Sequence, residues 1–259
     1  MYSYVKSEIY RIIRYRATYL FIVICSLLLL SSNIVLAAVK HADKSFPWAT
    51  TYFSFSNVYS NMAMVYVLCI MVAIMIFGNE HSNHTLKNSV SYGISRGTLF
   101  FGKYIIEILY SVFAFVIIIG VHVISGYLLL ENSGIDDFNT LIRTCIASFP
   151  LLMVGLAVTN CFAFINDGSN GAISAACGIM IVLPLITNLL GMKFDVFAEF
   201  GKVLPWNILN SIEFDPVKDT LRMYWDTSAG LRNCYIIGLI QILIFSIVGF
   251  VIFNKKEIK

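Results

Sequence analysis

Residues 80–97 gather most of the side chains in this 259-residue chain that could do chemistry, and several local patterns compete to explain them. Gly97-Thr-Leu-Phe-Phe-Gly-Lys103 has the glycine spacing of a phosphate-binding loop. Tyr104, however, stands where a Ser or Thr must hold magnesium, and no buried strand precedes the segment. Gly93-Ile-Ser-Arg-Gly97 matches the G-x-S-x-G hydrolase elbow, which needs a strand, a helix and a His–acid pair on an α/β scaffold. The membrane version, an intramembrane serine protease, needs an embedded serine facing a histidine, whereas Ser95 lies in a polar connection and the last apolar stretch has no His. His81 and His84 share a helical face beside Glu80, but no HExxH occurs and no second Cys or His cluster completes a metal site. Asn83-His-Thr85 is a glycosylation sequon, idle on the cytosolic side to which this connection is assigned below.

The elements that must position this segment are membrane helices. The chain is 58% hydrophobic and only 13% charged, too apolar for a soluble domain of this size. A spanning helix needs roughly 20 apolar residues to cross about 30 Å of hydrocarbon. Six candidates meet that length: 18–39, 58–78, 103–130, 144–165, 172–192 and 232–253. The longest connection, 193–231, is too short and interrupted for a domain of its own, so 1–259 reads as one membrane domain. Lys6, Arg11, Arg14 and Arg16, then Lys87, Arg96 and Lys103, then Lys255, Lys256 and Lys259 fall on one side of a six-span chain. The alternate connections hold Asp43, Glu131, Asp136, Asp137, Asp195, Glu199, Glu213, Asp215, Asp219 and Asp226. The expected fold is therefore an all-α membrane protein with six transmembrane helices and both termini cytosolic. The run from Thr18 to Val39 is too long for a secretory signal core. Residues 1–17 read as an interfacial helix, with Val5, Ile9, Ile12 and Ile13 on one side and Lys6, Tyr10 and Arg14 elsewhere. The six cysteines show no CxxC spacing and read as small core hydrophobes.

Within 79–102, Leu86, Val90 and Ile94 make a short apolar row, and a Gly-Ile-Ser-Arg turn leads into the third span. At this point the sequence resembles the permease subunits of the type-2 ABC exporter family. In that family the second span ends at a Glu, a Thr and a Lys follow in a short helix, and a Ser-Arg pair precedes the third span. Glu80, Thr85, Lys87, Ser95 and Arg96 match these, with Gly93 in the turn. The resemblance implies a non-catalytic half-transporter that pairs with itself or a sister permease above two cytosolic ABC ATPase subunits. ATP and magnesium would then sit on the partner, with no cofactor in this chain. It assigns Glu80, Thr85, Leu86, Lys87, Gly93, Ser95 and Arg96 to ATPase coupling, with Glu80 and Arg96 paired across the loop. In its short, domain-free form the chain resembles the permeases of Gram-positive bacteria linked to antimicrobial-peptide immunity or peptide-toxin export. That implies a bacterial cytoplasmic membrane, an amphipathic peptide or lipid-like substrate, and no nucleic acid.

The substrate path is less legible. Glu107 is shallow enough to snorkel or to pair with Lys103 one turn back, while His122 is deeper and needs a partner or a polar cavity. Asn160, with Thr159, Asn166 and Asp167, suits either an access route or helix–helix hydrogen bonding. Pro184 is placed to kink the fifth span, and the small residues from Gly171 to Gly178 permit close packing of that span. In the outer segment 193–231, Trp206 is expected at headgroup depth. The competing class, an ion-coupled secondary transporter or channel, predicts an internal repeat and charged residues at the midplane, and no convincing repeat is found.

Overall fold

Backbone N–H and C=O groups in hydrocarbon have no water to bond, so long apolar segments must close their hydrogen bonds internally as helices. The computed structural model describes residues 1–82, 85–166, 168–215 and 220–256, and the side chains of these except within 78–86 and 213–222. An amphipathic helix, α1 (Tyr2–Arg14), turns at Tyr15 into α2 (Arg16–Ala42). Then come α3 (Thr51–Ser60), α4 (Met62–Ser82), the short α5 (Thr85–Ser91), α6 (Arg96–Leu129) and α7 (Ile135–Ile165). The next helix changes type along its length: α8 (Ser169–Cys177), a π-helical turn at Gly178–Val182, and α9 (Leu183–Gly191). Pro184 falls at the start of α9, so its missing N–H lies where the helix has already changed type. Two short helices, α10 (Asp195–Gly201) and α11 (Pro205–Leu209), precede a small hairpin of β1 (Ile212–Asp215) and β2 (Thr220–Met223). The hairpin is antiparallel, with Ile212 opposite Met223. The last helix is α12 (Ser228–Lys255).

The chain is thus helical throughout the bundle, with the hairpin added in the segment before the last helix. Five helices are long and apolar enough to cross a membrane, and α3 with α4 makes a sixth if the bent pair is one span. The bend is 57°. It interrupts the stretch 58–78, which the apolar pattern alone reads as one straight helix. The cause is local: the Asn57 and Asn61 amides donate to the carbonyls of Phe53 and Asn57 at 2.9 and 2.7 Å. Such side-chain bonds offer the backbone an alternative to the regular ladder.

α7 lies at the centre and is the most buried of the spans. Cys69 of α4 and Tyr104 of α6 hydrogen-bond its carbonyls at Leu152 and Met153, at 3.4 and 3.1 Å. At the end that holds both termini, Phe164 stacks against Phe77, Phe100 and Phe253 with ring centroids 5.0, 5.1 and 4.5 Å apart. Those rings come from α4, α6, α7 and α12, so one aromatic cluster ties four helices together. At the opposite end, Thr51 and Glu131 join the first and third inter-span connections through a backbone bond of 2.9 Å, with Lys40 3.4 Å from the Glu131 carboxylate. Trp225 is buried there and donates to Thr144 Oγ1 at 3.1 Å. Trp206 does not stand free at that end; it is half-buried, packed against the core from α11.

Candidate functional site

The short helix α5 is joined to α6 by a tightly bonded turn. α5 ends in a left-handed residue, Gly93 at φ +85°, a conformation that costs a residue with a Cβ roughly 1–2 kcal/mol. The Gly93 and Ile94 N–H groups donate back to the carbonyls of Val90 and Ser89 at 3.0 and 3.2 Å, closing the helix C-terminus. Two residues later Ser95 opens α6 as its N-cap, its hydroxyl oxygen accepting from Thr98 N–H at 3.2 Å. Capping by Ser95 is why α6 begins at Arg96 rather than at 103.

Arg96 then reaches across to the far end of the chain. Its guanidinium donates to the carbonyls of Phe253, Asn254 and Lys256 at 2.7, 2.8 and 2.6 Å and lies over the Phe253 ring at 5.6 Å. A cation bonded to the unpaired carbonyls of a helix C-terminus also meets the negative end of its dipole. Arg96 therefore clamps the start of α6 to the end of α12. The side chains of Glu80, Thr85 and Leu86 lie outside the described residues. Val90 and Ile94, the described members of the apolar row, pack inward against the core. The outward face is Lys87, Asn88, Ser91 and Tyr92, all exposed. Tyr92 is 88% exposed, and sequence reasoning passed over it because a tyrosine in an apolar chain carries no motif.

α1 docks beside the start of α6. Its one buried residue is Glu8, which accepts from Lys103 of α6 at 2.6 Å and from Arg11 at 2.7 Å, while Arg11 also donates to the Ile76 carbonyl of α4 at 3.0 Å. A Cβ on Gly102 would stand 2.8 Å from the Tyr4 ring, so the glycine lets α1 lie close on α6. Lys103 is fully buried and belongs to Glu8 rather than to Glu107. Glu107 does not snorkel: it is fully buried, and neither carboxylate oxygen has a hydrogen-bond partner among the described residues. The Asn160 amide is in the same position on α7. Thr159 and Asn166 bond carbonyls of their own helix, at Gly155, Leu156 and Phe162, rather than another helix. Asp167 lies outside the described residues. Ala172 and Ala176 are buried beside α4, so part of the small-residue run packs within the chain.

Of the four residues expected along a substrate path, His122 lines a large cavity. That groove, of about 630 Å³, opens between α2, the α3–α4 bend and α6. His122 sits in a closed polar network: Ser54 Oγ is 3.2 Å from its Nε2, and Ser54 donates to Asn33 Oδ1 at 2.6 Å. Asn33 in turn donates to the His122 carbonyl at 3.1 Å and to Ser125 Oγ at 2.7 Å. Each donor finds an acceptor when the imidazole is neutral with its proton on Nε2. Asn33 and Ser54 escaped sequence reasoning, although a lone Asn inside an apolar span signals a buried partner. Replacing Asn33 by Leu is expected to lower stability by about 1–2 kcal/mol, near the upper range for hydrogen bonds between membrane helices. Thermal unfolding in detergent reads this directly. The groove is mostly apolar, yet Asn57 and Asn61 line it exposed, with one N–H of each amide spent on its own helix. Their amide oxygens remain as acceptors.

A family model described as ABC-2 family transporter protein matches residues 4–182, from α1 to the end of the π-helical turn. The chain belongs to the ABC-2 transporter family. No curated protein matches it. As an ABC-2 family member it is the membrane-spanning part of an ABC transporter, a multi-pass protein that works with an ATPase partner. Both features described above, the α5 turn and the groove, fall inside the matched residues of this ABC-2 chain.

Proposed function

We propose that this ABC-2 chain is the permease of an ATP-driven exporter in a bacterial cytoplasmic membrane, and that it moves an amphipathic peptide outward without covalent chemistry. Two permease protomers, identical or sister chains, would stand over two ATPase subunits that carry ATP and magnesium, and both chain termini would be cytosolic. The observation that carries this reading is the Arg96 clamp. An ATPase closing against α5 would push a helix that is joined to α6 through Gly93 and Ser95, and Arg96 ties the start of α6 to the end of α12. The push therefore moves two spans as one rigid body, the kind of element an alternating-access switch needs. Glu80, Thr85, Leu86 and Lys87 would make the docking surface with Tyr92. The groove at the α3–α4 bend suits the cargo. Exposed asparagine oxygens are costly against lipid tails but accept hydrogen bonds from peptide N–H groups. Peptide-antibiotic immunity and toxin export are the uses that fit such a cargo.

Gentle purification of the tagged chain from its native membrane tests the reading. A phosphate-loop ATPase is expected to accompany it, and Tyr92→Asp with Lys87→Glu is expected to cut its recovery by roughly 30-fold, the loss of one interface hot spot. An ATPase that stays bound to the variant would place docking elsewhere. If the unaltered chain brings none while other membrane complexes survive, an ion-coupled transporter becomes the better reading. The buried carboxyl of Glu107, without a hydrogen-bond partner among the described residues, favours that alternative. It predicts that dissipating the ion gradient stops transport while ATP is still present.

A further inference from the structure

A second groove, of about 280 Å³, runs between α1, α2 and α6, and it differs in kind from the one at the α3–α4 bend. Thr18, Ile22, Ile106 and Tyr110 form its buried floor. Ile13, Tyr19 and Leu109 form exposed walls. The hydroxyls it contains are consumed in holding the elbow between α1 and α2. Thr18 donates to the carbonyls of Tyr15 and Ile12 at 2.6 and 3.0 Å, Tyr19 to that of Ile13 at 2.7 Å, and Tyr110 to that of Thr18 at 2.8 Å. An occupant therefore meets hydrocarbon, without the amide acceptors of the larger groove. From Arg16 to Ile22 the slot descends about 9 Å at 1.5 Å per residue, the depth of the upper part of an acyl chain.

No charged side chain is among the residues that line this slot, but cations stand one helical turn away along α1 and α2. Lys6 lies one helical turn before Ile9, and Arg16 one turn before Tyr19. Both are exposed and neither has an ion-pair partner among the described residues, whereas Arg11 and Lys103 are taken up by Glu8. Of the five basic residues here, Arg11 and Lys103 hold α1 on the bundle, Arg14 lies over the Tyr10 ring at 4.3 Å, and Lys6 and Arg16 have no ion-pair partner among the described residues. We infer that the slot binds one acyl chain of an anionic phospholipid whose headgroup is held by Lys6 and Arg16. The inference rests on the membrane placement proposed above, with α1 along the cytosolic leaflet, but not on the cargo or on ATPase docking. A basic flank alone would be drawn to any anionic surface. A slot beneath it adds a requirement for the chain, which fixes one lipid at one place and braces α1 against α2 and α6.

The test uses the full chain purified in detergent, with phosphatidylglycerol or phosphatidylcholine of identical acyl chains added and retained lipid counted by native mass spectrometry. One phosphatidylglycerol per chain is expected, preferred over phosphatidylcholine on the order of tenfold, as two cations near a headgroup allow. Lys6→Glu with Arg16→Glu should erase the preference. Leu109→Trp, which narrows the slot from an exposed wall and leaves the buried floor intact, should lower retention of both lipids while lipid-free thermal unfolding stays unchanged. Glycerol phosphate, a headgroup without a chain, should not compete. Equal binding of the two lipids by the unaltered chain, or undiminished retention by Leu109→Trp, would overturn the inference. Loss of the ATPase with lipid binding intact would count against the exporter reading alone.

Discussion

Replacing Arg96 by Ala is expected to leave the ATPase bound but to cut substrate moved per ATP by tenfold or more. The reason lies in what the guanidinium joins. Its three carbonyl partners belong to the last turn of α12 and the residues just after it, while its backbone belongs to the first turn of α6. Without it, a displacement of α5 still reaches α6 through Ser95, but α12 is free to lag. Charge-assisted bonds of this sort contribute roughly 2–3 kcal/mol once part exposure is discounted, so the terminal end should also melt a few degrees earlier. Arg96→Lys separates charge from geometry. All three carbonyls meet one guanidinium nitrogen, Nη1; an ammonium keeps the cation near the helix dipole but sits on a shorter side chain without the plane that lies over the Phe253 ring, so it should restore stability more than coupling. Transport and ATP hydrolysis measured together in proteoliposomes decide the matter. Full transport per ATP in Arg96→Ala would show that α12 is not driven from this contact.

The turn in this site was legible in the sequence and the long-range contacts were not. Gly93 announces a turn because only a residue without Cβ adopts a left-handed conformation cheaply, and the turn is there at φ +85°. The helix start that Ser95 caps was not legible, since the apolar run starts the third span at 103. The partner of Arg96, by contrast, lies 157 to 160 positions away, where no spacing rule reaches. Lys103 shows the same failure in reverse. Its distance of four residues from Glu107 suggested a pair on one helix face, but α1 folds back and offers Glu8, 95 positions distant. A buried cation takes the carboxylate that tertiary packing supplies.

The spans themselves were legible because hydrocarbon thickness imposes a length on them. The break at Asn61 was not, since Ser54, Asn57 and Ser60 could equally have faced a polar cavity from a straight helix. Only the observed amide bonds to Phe53 and Asn57 show that these side chains compete with the backbone. Asn33 was missed for a related reason: its meaning lies in Ser54, His122 and Ser125, which belong to two other helices.

A large effect on folding is expected at Gly238, where α12 crosses the proline of the central helix. Pro150 sits inside α7 and cannot donate to the carbonyl four residues back, at Ile146. In a membrane interior that carbonyl needs another donor, and the Tyr235 hydroxyl supplies it from α12 at 3.0 Å. One turn further along α12, Gly238 receives the proline itself. A Cβ added there would stand 2.8 Å from Pro150 Cβ, 3.1 Å from its carbonyl carbon and 3.2 Å from its oxygen. Two of those three atoms are backbone, so no side chain can move aside and the helices must separate. Gly238→Leu should therefore cost about 3 kcal/mol or more through overpacking, and it should also pull Tyr235 off the carbonyl it satisfies. Gly249 meets Cys161 Sγ and Phe100 Cζ, both 2.9 Å away, which are side-chain atoms, so Gly249→Ala should be milder than Gly238→Ala. Gly120 of α6 has nothing within 4 Å, and Gly120→Ala should be neutral or stabilising by up to about 1 kcal/mol of helix propensity. Thermal unfolding of the three alanine variants in one detergent gives the order directly. A Gly238→Ala chain as stable as Gly120→Ala would mean that α12 does not rest on Pro150.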